Sequence, residues 1–317
     1  MNYRLDDELV RIAAQLPRVD RSDVAAARAA AARRAAAEAD APCDGIAVED
    51  RLVPTADGAE IRLRVYRPEA RANRGAIYHV HGGGFITGDL TMSHALNLEF
   101  ARETGAVVVA VEYRLAPEWP YPTPVEDVYT GLVWLHEHAA ELEVDPGRLV
   151  VHGQSAGGAL GTGAVLMARD RNGPPIRFLL LTSPTVDDRA TTRSSRIFTD
   201  TPVLTRRDVE LTWAAYLGEI RRASADVPAY AAPARARDLS GLPPTYISAA
   251  EADPLRDEAI AFAHALLNAG VSVELHVFPE TFHGSLAFRD AEVSRRQVGE
   301  EIAVLRRALG QRLRSSR

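Results

Sequence analysis

The chain has 317 residues, a formal net charge of −6 and a single cysteine, Cys43. That length suits one large α/β unit with a lid, burying roughly 75% of the unfolded chain's surface. The acidic balance argues against nucleic acid or an anionic membrane as partner, and a lone cysteine excludes an internal disulfide.

Helical patterning covers 5–16 and 23–39, separated by Pro17 and ended by the break between Pro42 and Gly45. The second stretch is rich in Ala and Arg, but Asp23, Glu38 and Asp40 flank or interrupt it. It reads as a solvent-facing helix rather than a transit peptide. With no basic start leading into an apolar run, and no stretch apolar enough to span a bilayer, a cytoplasmic location is expected. Runs at 48–53 and 61–66, joined through Ala56-Asp57-Gly58, predict an antiparallel strand pair. Strand and helix patterns then alternate, with strands at 76–80, 107–111, 149–152, 178–182, 245–249 and 273–278. Together these predict an α/β fold with a mostly parallel eight-stranded sheet flanked by helices. Residues 186–228, which contain Phe198, Leu204, Leu211, Trp213 and Tyr216, interrupt the alternation, and an amphipathic helix fills much of 291–313.

The stretch Val150-Val151-His152-Gly153-Gln154-Ser155-Ala156-Gly157-Gly158 sets a serine between glycines where a strand gives way to a helix. A sharp strand-to-helix turn strains the central residue, and only small neighbours let strand and helix approach closely. Ser155 is therefore the candidate nucleophile. Upstream, the strand at 76–80 leads into Gly82-Gly83-Gly84-Phe85. Backbone N–H groups of Gly83, Gly84 and Ala156 are candidates to hold an oxyanion, a role in which one lost donor typically costs on the order of 10²–10³ in rate.

Nine histidines compete as base, and position selects one. In α/β hydrolases the acid and then the histidine follow the serine, each after a late strand. Asp253 follows the strand at 245–249, and His283 follows the one at 273–278. His283 is thus the expected base and Asp253 the acid that fixes its tautomer. Activity is expected to rise as His283 gives up its proton.

The chain resembles the hormone-sensitive-lipase-like esterases of the α/β-hydrolase superfamily. His81-Gly82-Gly83-Gly84-Phe85 is similar to the family's oxyanion motif, and Tyr113-Arg114-Leu115-Ala116-Pro117-Glu118 to its YRLAPE segment. Asp253-Pro254-Leu255-Arg256-Asp257-Glu258 and Phe282-His283-Gly284 resemble the segments around its aspartate and histidine. Gln154 stands where the family usually has Asp, and Ser285 where an aromatic residue is common. The resemblance implies a serine carboxylesterase acting on small, short- to medium-chain esters through an acyl-enzyme, without a cofactor. It also implies a cap built from 1–45 and from an insertion at about 186–228, the remainder of 46–317 being the catalytic domain. Phe85, Trp213 and Tyr216 are the candidate substrate contacts, Phe85 with the better claim because it follows the glycine loop, while Trp213 and Tyr216 read more readily as packing the lid onto the main domain. An edge strand and the terminal helix could support a homodimer.

Other readings are weaker. His79 and His81 share a strand face as metal ligands would, yet no third ligand follows nearby, and His81 reads as an anchor for the glycine loop. Gly82, Gly84 and Gly88 imitate a nicotinamide-binding fingerprint, but the next helix opens only near Ser93. A non-hydrolytic binder or a lyase on the same fold is the remaining alternative.

Overall fold

Eight strands form where the apolar runs predict them: β1 (Ile46–Pro54), β2 (Glu60–Pro68), β3 (Ala76–Val80), β4 (Val107–Glu112), β5 (Leu149–Gln154), β6 (Ile176–Thr182), β7 (Thr245–Ala252) and β8 (Val273–Phe282). The computed structural model describes residues 3–36, 39–71, 73–218 and 226–310. The strands make one sheet in the order β1-β2-β4-β3-β5-β6-β7-β8, antiparallel from β1 through β4 and parallel from β4 to β8. The first hairpin turns where Gly58 takes φ +84°, and Thr55 N–H donates to Ala59 O at 2.9 Å. Strand β3 is buried along its whole length, as expected of a strand covered on both faces.

Helices α3 (His94–Thr104) and α9 (Glu292–Ala308) cover one face, burying Leu98, Phe100, Val298, Ile302 and Leu305 against Ile77, Val108 and Val150. Helices α4 (Thr123–Glu137), α5 (Ala156–Asp170) and α8 (Arg256–Asn268) cover the other. Chain order reverses direction across the sheet at β3, with β4 on one side and β5 on the other, and the strand C-termini there open a crevice.

Helices α1 (Asp7–Ala13), α2 (Val24–Ala36) and α7 (Arg206–Leu217) lie over that crevice, and α6 (Arg193–Ile197) packs between α7 and α8. Asp6 caps α1 by accepting from Glu8 N–H, and Leu5 and Leu9 pack with Phe198, Phe278 and Phe282. Helix α2 is not the solvent-facing helix its composition suggests. Ala27, Ala30 and Ala35 are buried, because short side chains let this face lie close to the body of the molecule, while Arg28 bonds to Ile86 O and Glu118. Residues 37–38 of the predicted second helix, 219–225 of the predicted insertion and the end of the terminal helix beyond Gly310 lie outside the described residues.

Candidate active site

Ser155 sits between β5 and α5 with φ +53° and ψ −119°, a strained conformation for a non-glycine residue. Its surroundings hold it there. Ser155 N–H donates to Thr182 O at 2.9 Å, and its carbonyl accepts from Gly158 and Thr185. The glycines are required by contact: a methyl group on Gly153 would overlap the Gly157 carbonyl, and one on Gly157 the Val80 carbonyl. The hydroxyl therefore projects from a crossing of strand and helix that no larger residue would allow.

The base and acid arrive from the ends of β7 and β8. Ser155 Oγ lies 2.9 Å from His283 Nε2, and His283 Nδ1 lies 2.7 Å from Asp253 Oδ2. Asp253 is 1% exposed, and its second oxygen accepts from Leu255 N–H at 2.9 Å. Nδ1 therefore donates to the carboxylate, which leaves Nε2 free to accept the serine proton. All three residues are buried, where Coulombic stabilisation of a transient imidazolium is stronger than in water.

The glycine loop lies alongside. A methyl group on Gly82 would come 3.2 Å from Ser155 Cβ, so the loop runs directly past the nucleophile. Gly83 and Gly84 take φ +113° and +62°, and a methyl group on Gly83 would overlap the Thr87 carbonyl. His81 stacks on Tyr113 at 4.3 Å, and its Nδ1–H donates to Gly82 O at 2.7 Å. Burial lowers the pKa of His81 to about 4, so it is a neutral donor. The Tyr113 hydroxyl donates to His81 O and Gly82 O. Arg114 pairs with the buried Asp127 at 2.6 Å, and Ala116 N–H donates to Phe85 O. The segment Tyr113–Glu118 thus braces the loop, a role that the order of its residues alone does not disclose.

Ser155, His283, Gly83, Gly84, Gln154 and Thr185 open onto a cavity of about 850 Å³ roofed by α1, α2 and the segment around α7. Three expected substrate contacts are corrected. Phe85, Trp213 and Tyr216 are fully buried and lie outside the cavity lining. They form an aromatic cluster, with Phe85 stacked on Tyr216 at 4.2 Å and tilted against Trp213 at 5.1 Å. A large ring following a glycine loop gains more from leaving water than from lining a wet pocket. The lining instead draws on Ala27, Ala30, Ala31, Val203, Val209 and Arg21, whose position beside the serine has no signature in the sequence.

The remaining histidines are placed elsewhere. His79 Nδ1 lies 2.9 Å from His152 Nδ1, and His152 Nε2 lies 3.2 Å from Thr182 Oγ1, under α3, whose Phe100 packs edge-on against His152. The helix after the glycine run begins at His94, so the glycines do not open a helix as a dinucleotide fingerprint requires.

A family model described as alpha/beta hydrolase fold matches residues 77–287. The chain is 39% identical over 265 residues to carboxylesterase NlhH of Mycobacterium tuberculosis (strain ATCC 25618 / H37Rv), covering 83% of each protein. Esterase LipI of the same strain is 38% identical over 255 residues, covering 78% of this chain and 79% of that one. Among solved structures, a bacterial heroin esterase superposes with a TM-score of 0.94 at 47% identity, covering 96% of this chain and 98% of the other. Esterase LipW from Mycobacterium marinum gives 0.87 at 36% identity, covering 97% and 96%. The chain therefore belongs to the hormone-sensitive-lipase-like branch of the α/β-hydrolase family and is a carboxylic ester hydrolase.

Proposed function

We propose that Ser155 is the nucleophile, His283 the general base and acid, and Asp253 the residue that orients it. His283 Nε2 takes the hydroxyl proton as Ser155 Oγ attacks the ester carbonyl. The N–H groups of Gly83, Gly84 and Ala156 hold the resulting oxyanion. His283 returns the proton to the departing alcohol, and water then attacks the acyl-enzyme with His283 again as base. The observation that carries this reading is the unbroken chain Ser155–His283–Asp253, at 2.9 and 2.7 Å. Mass spectrometry of enzyme quenched during turnover of p-nitrophenyl acetate tests it. An acetyl group on the Ser155 peptide, lost on standing, is expected; acetylation elsewhere only would reject the assignment.

The substrate is a small ester of short to medium acyl chain. A cavity of about 850 Å³ falls within the range of drug-sized ligands, and its alanine-rich roof leaves room for an alkyl chain. The described parts of residues 1–45 and of the insertion at about 186–228 form the cap over a catalytic domain made by the rest of the described chain. No cofactor is needed for this chemistry.

The protein acts in the cytoplasm, consistent with its exposed, unpaired Cys43, and has no nucleic-acid partner, in keeping with its net charge of −6. Among the described residues no helix is long and apolar enough to cross a membrane. A homodimer through edge strand β8 would cover the exposed Ile260, Leu267 and Leu275.

A further inference from the structure

The connection between α1 and α2 carries a guanidinium into the cavity that holds Ser155. Arg21 lines that cavity, and its side chain is only 15% exposed. Its internal pairing is thin. Nη2 donates to Val203 O across 3.4 Å, and Nε lies 3.7 Å from Asp208 Oδ1, beyond hydrogen-bond reach. Nε is buried and has no hydrogen-bond partner among the described residues. The other oxygen of Asp208, Oδ2, is held by Thr205 N–H and Thr205 Oγ1–H at the start of α7, which keeps the carboxylate from swinging closer to Arg21.

The third nitrogen faces the glycine loop: a methyl group on Gly84 would lie 3.5 Å from Arg21 Nη1. Burial pulls the Arg21 pKa below its ordinary value, Arg34 adds to that, and Asp208 opposes it only in part. A guanidinium stays protonated and offers five N–H donors in a planar fork, so burying one so sparsely paired is unfavourable unless an acceptor joins it. The wider lining has the same sign by a narrow margin, with Arg18, Arg33, Arg34 and Arg207 beside Arg21 against Asp20, Asp200 and Asp208. Gln154 beside Ser155 contributes no negative charge.

We propose that Arg21 is a substrate-binding residue that pairs with a carboxylate on the ester, so that the enzyme favours acidic esters, such as half-esters of dicarboxylic acids, over neutral esters of the same length. The planar fork matches a carboxylate in two-point contact. The inference rests on the serine-esterase reading of the site.

The test compares kcat/KM for monoethyl glutarate and ethyl pentanoate, followed by acid release, in wild type, Arg21→Met and Arg21→Lys. A charge-assisted hydrogen bond corresponds to roughly a 10- to 100-fold preference. The ratio of half-ester to neutral ester is expected to fall about tenfold or more in Arg21→Met and to recover partly in Arg21→Lys. In wild type, glutarate should inhibit ethyl pentanoate hydrolysis at a lower concentration than the neutral diamide glutaramide does, a comparison that holds even if Arg21→Met fails to fold. An equal ratio in wild type and variants, or equal inhibition by glutarate and glutaramide, overturns the proposal. Ser155→Ala separates the two readings. Ser155-dependent hydrolysis without discrimination leaves the esterase standing and removes the carboxylate site, whereas hydrolysis of neither ester removes both.

Discussion

Phe85 and Tyr216 lie face to face, with ring centroids 4.2 Å apart and planes 8° from parallel. One follows the glycine loop and the other belongs to α7, so the stack fastens the covering segment to the loop beside Ser155. Truncating Tyr216→Ala should cost about 3–5 kcal/mol, the range for a buried aromatic, and should lower turnover by loosening the loop. Tyr216→Phe should behave differently. The Tyr216 hydroxyl is buried with no hydrogen-bond partner among the described residues, so removing it should leave stability unchanged or raise it by up to about 1 kcal/mol. Urea unfolding of both variants, with kcat measured alongside, checks this.

Gly83 is the most sterically constrained position of the loop. At φ +113° an alanine would be strained, and its methyl would overlap the Thr87 carbonyl. The loop must shift, and donors fixed in advance lose their aim. Gly83→Ala is expected to lower kcat by about 10²-fold or more while KM changes little. A change confined to KM would place the residue in binding rather than in stabilising the oxyanion.

Gln154 is half-buried in the cavity lining, next to the nucleophile. Gln154→Asp would put a negative charge near His283 and favour its protonated form. The acid limb of the pH profile of kcat/KM should therefore move to higher pH, by up to about one unit. Measuring that limb for wild type and variant decides it, and an unmoved limb would mean that the added carboxylate is screened from the imidazole.

Burial lowers the pKa of His152 to about 3 from an ordinary 6.5. Between those values the unfolded chain binds a proton that the folded chain does not. The associated stability is intact above about pH 6.5 and is lost as the pH falls towards 3. Buried Glu258 and Glu301 act in the opposite sense, because desolvation raises their pKa values and the folded state takes up protons first. The clean readout is thus a difference. Between pH 6 and 4, His152→Gln should reduce the slope of unfolding free energy against pH by about 1.4 kcal/mol per unit, one proton's worth.

The sheet was legible because β-branched and apolar runs such as Val107–Val111 and Leu149–Val151 have one plausible fate in a large α/β chain. The triad was legible because Ser155, Asp253 and His283 each follow directly on a strand, so order along the chain already implied convergence at one sheet edge. The covering segments were harder to read. Helix α2 is nearly all Ala and Arg, a composition that gives a helix no preferred face, and its buried side is set by Arg28 reaching Glu118 ninety residues away. Phe85, Trp213 and Tyr216 are ambiguous in the sequence because aromatic residues suit a pocket wall and a core cluster alike. The fold places all three in the cluster, as the packing reading of Trp213 and Tyr216 expects and against the pocket reading of Phe85. Arg21 carried no local pattern, since its importance comes from residues on α7 and the glycine loop that meet it only in the fold.

The most direct measurement is hydrolysis of p-nitrophenyl esters from acetate to dodecanoate by wild type and by Ser155→Ala at matched folding. Wild type should turn over the shorter esters and lose rate as the chain outgrows the cavity, and Ser155→Ala should retain no enzymatic turnover. Equal hydrolysis by both proteins, or none by folded wild type, would contradict the assignment of Ser155 as the nucleophile of a carboxylesterase.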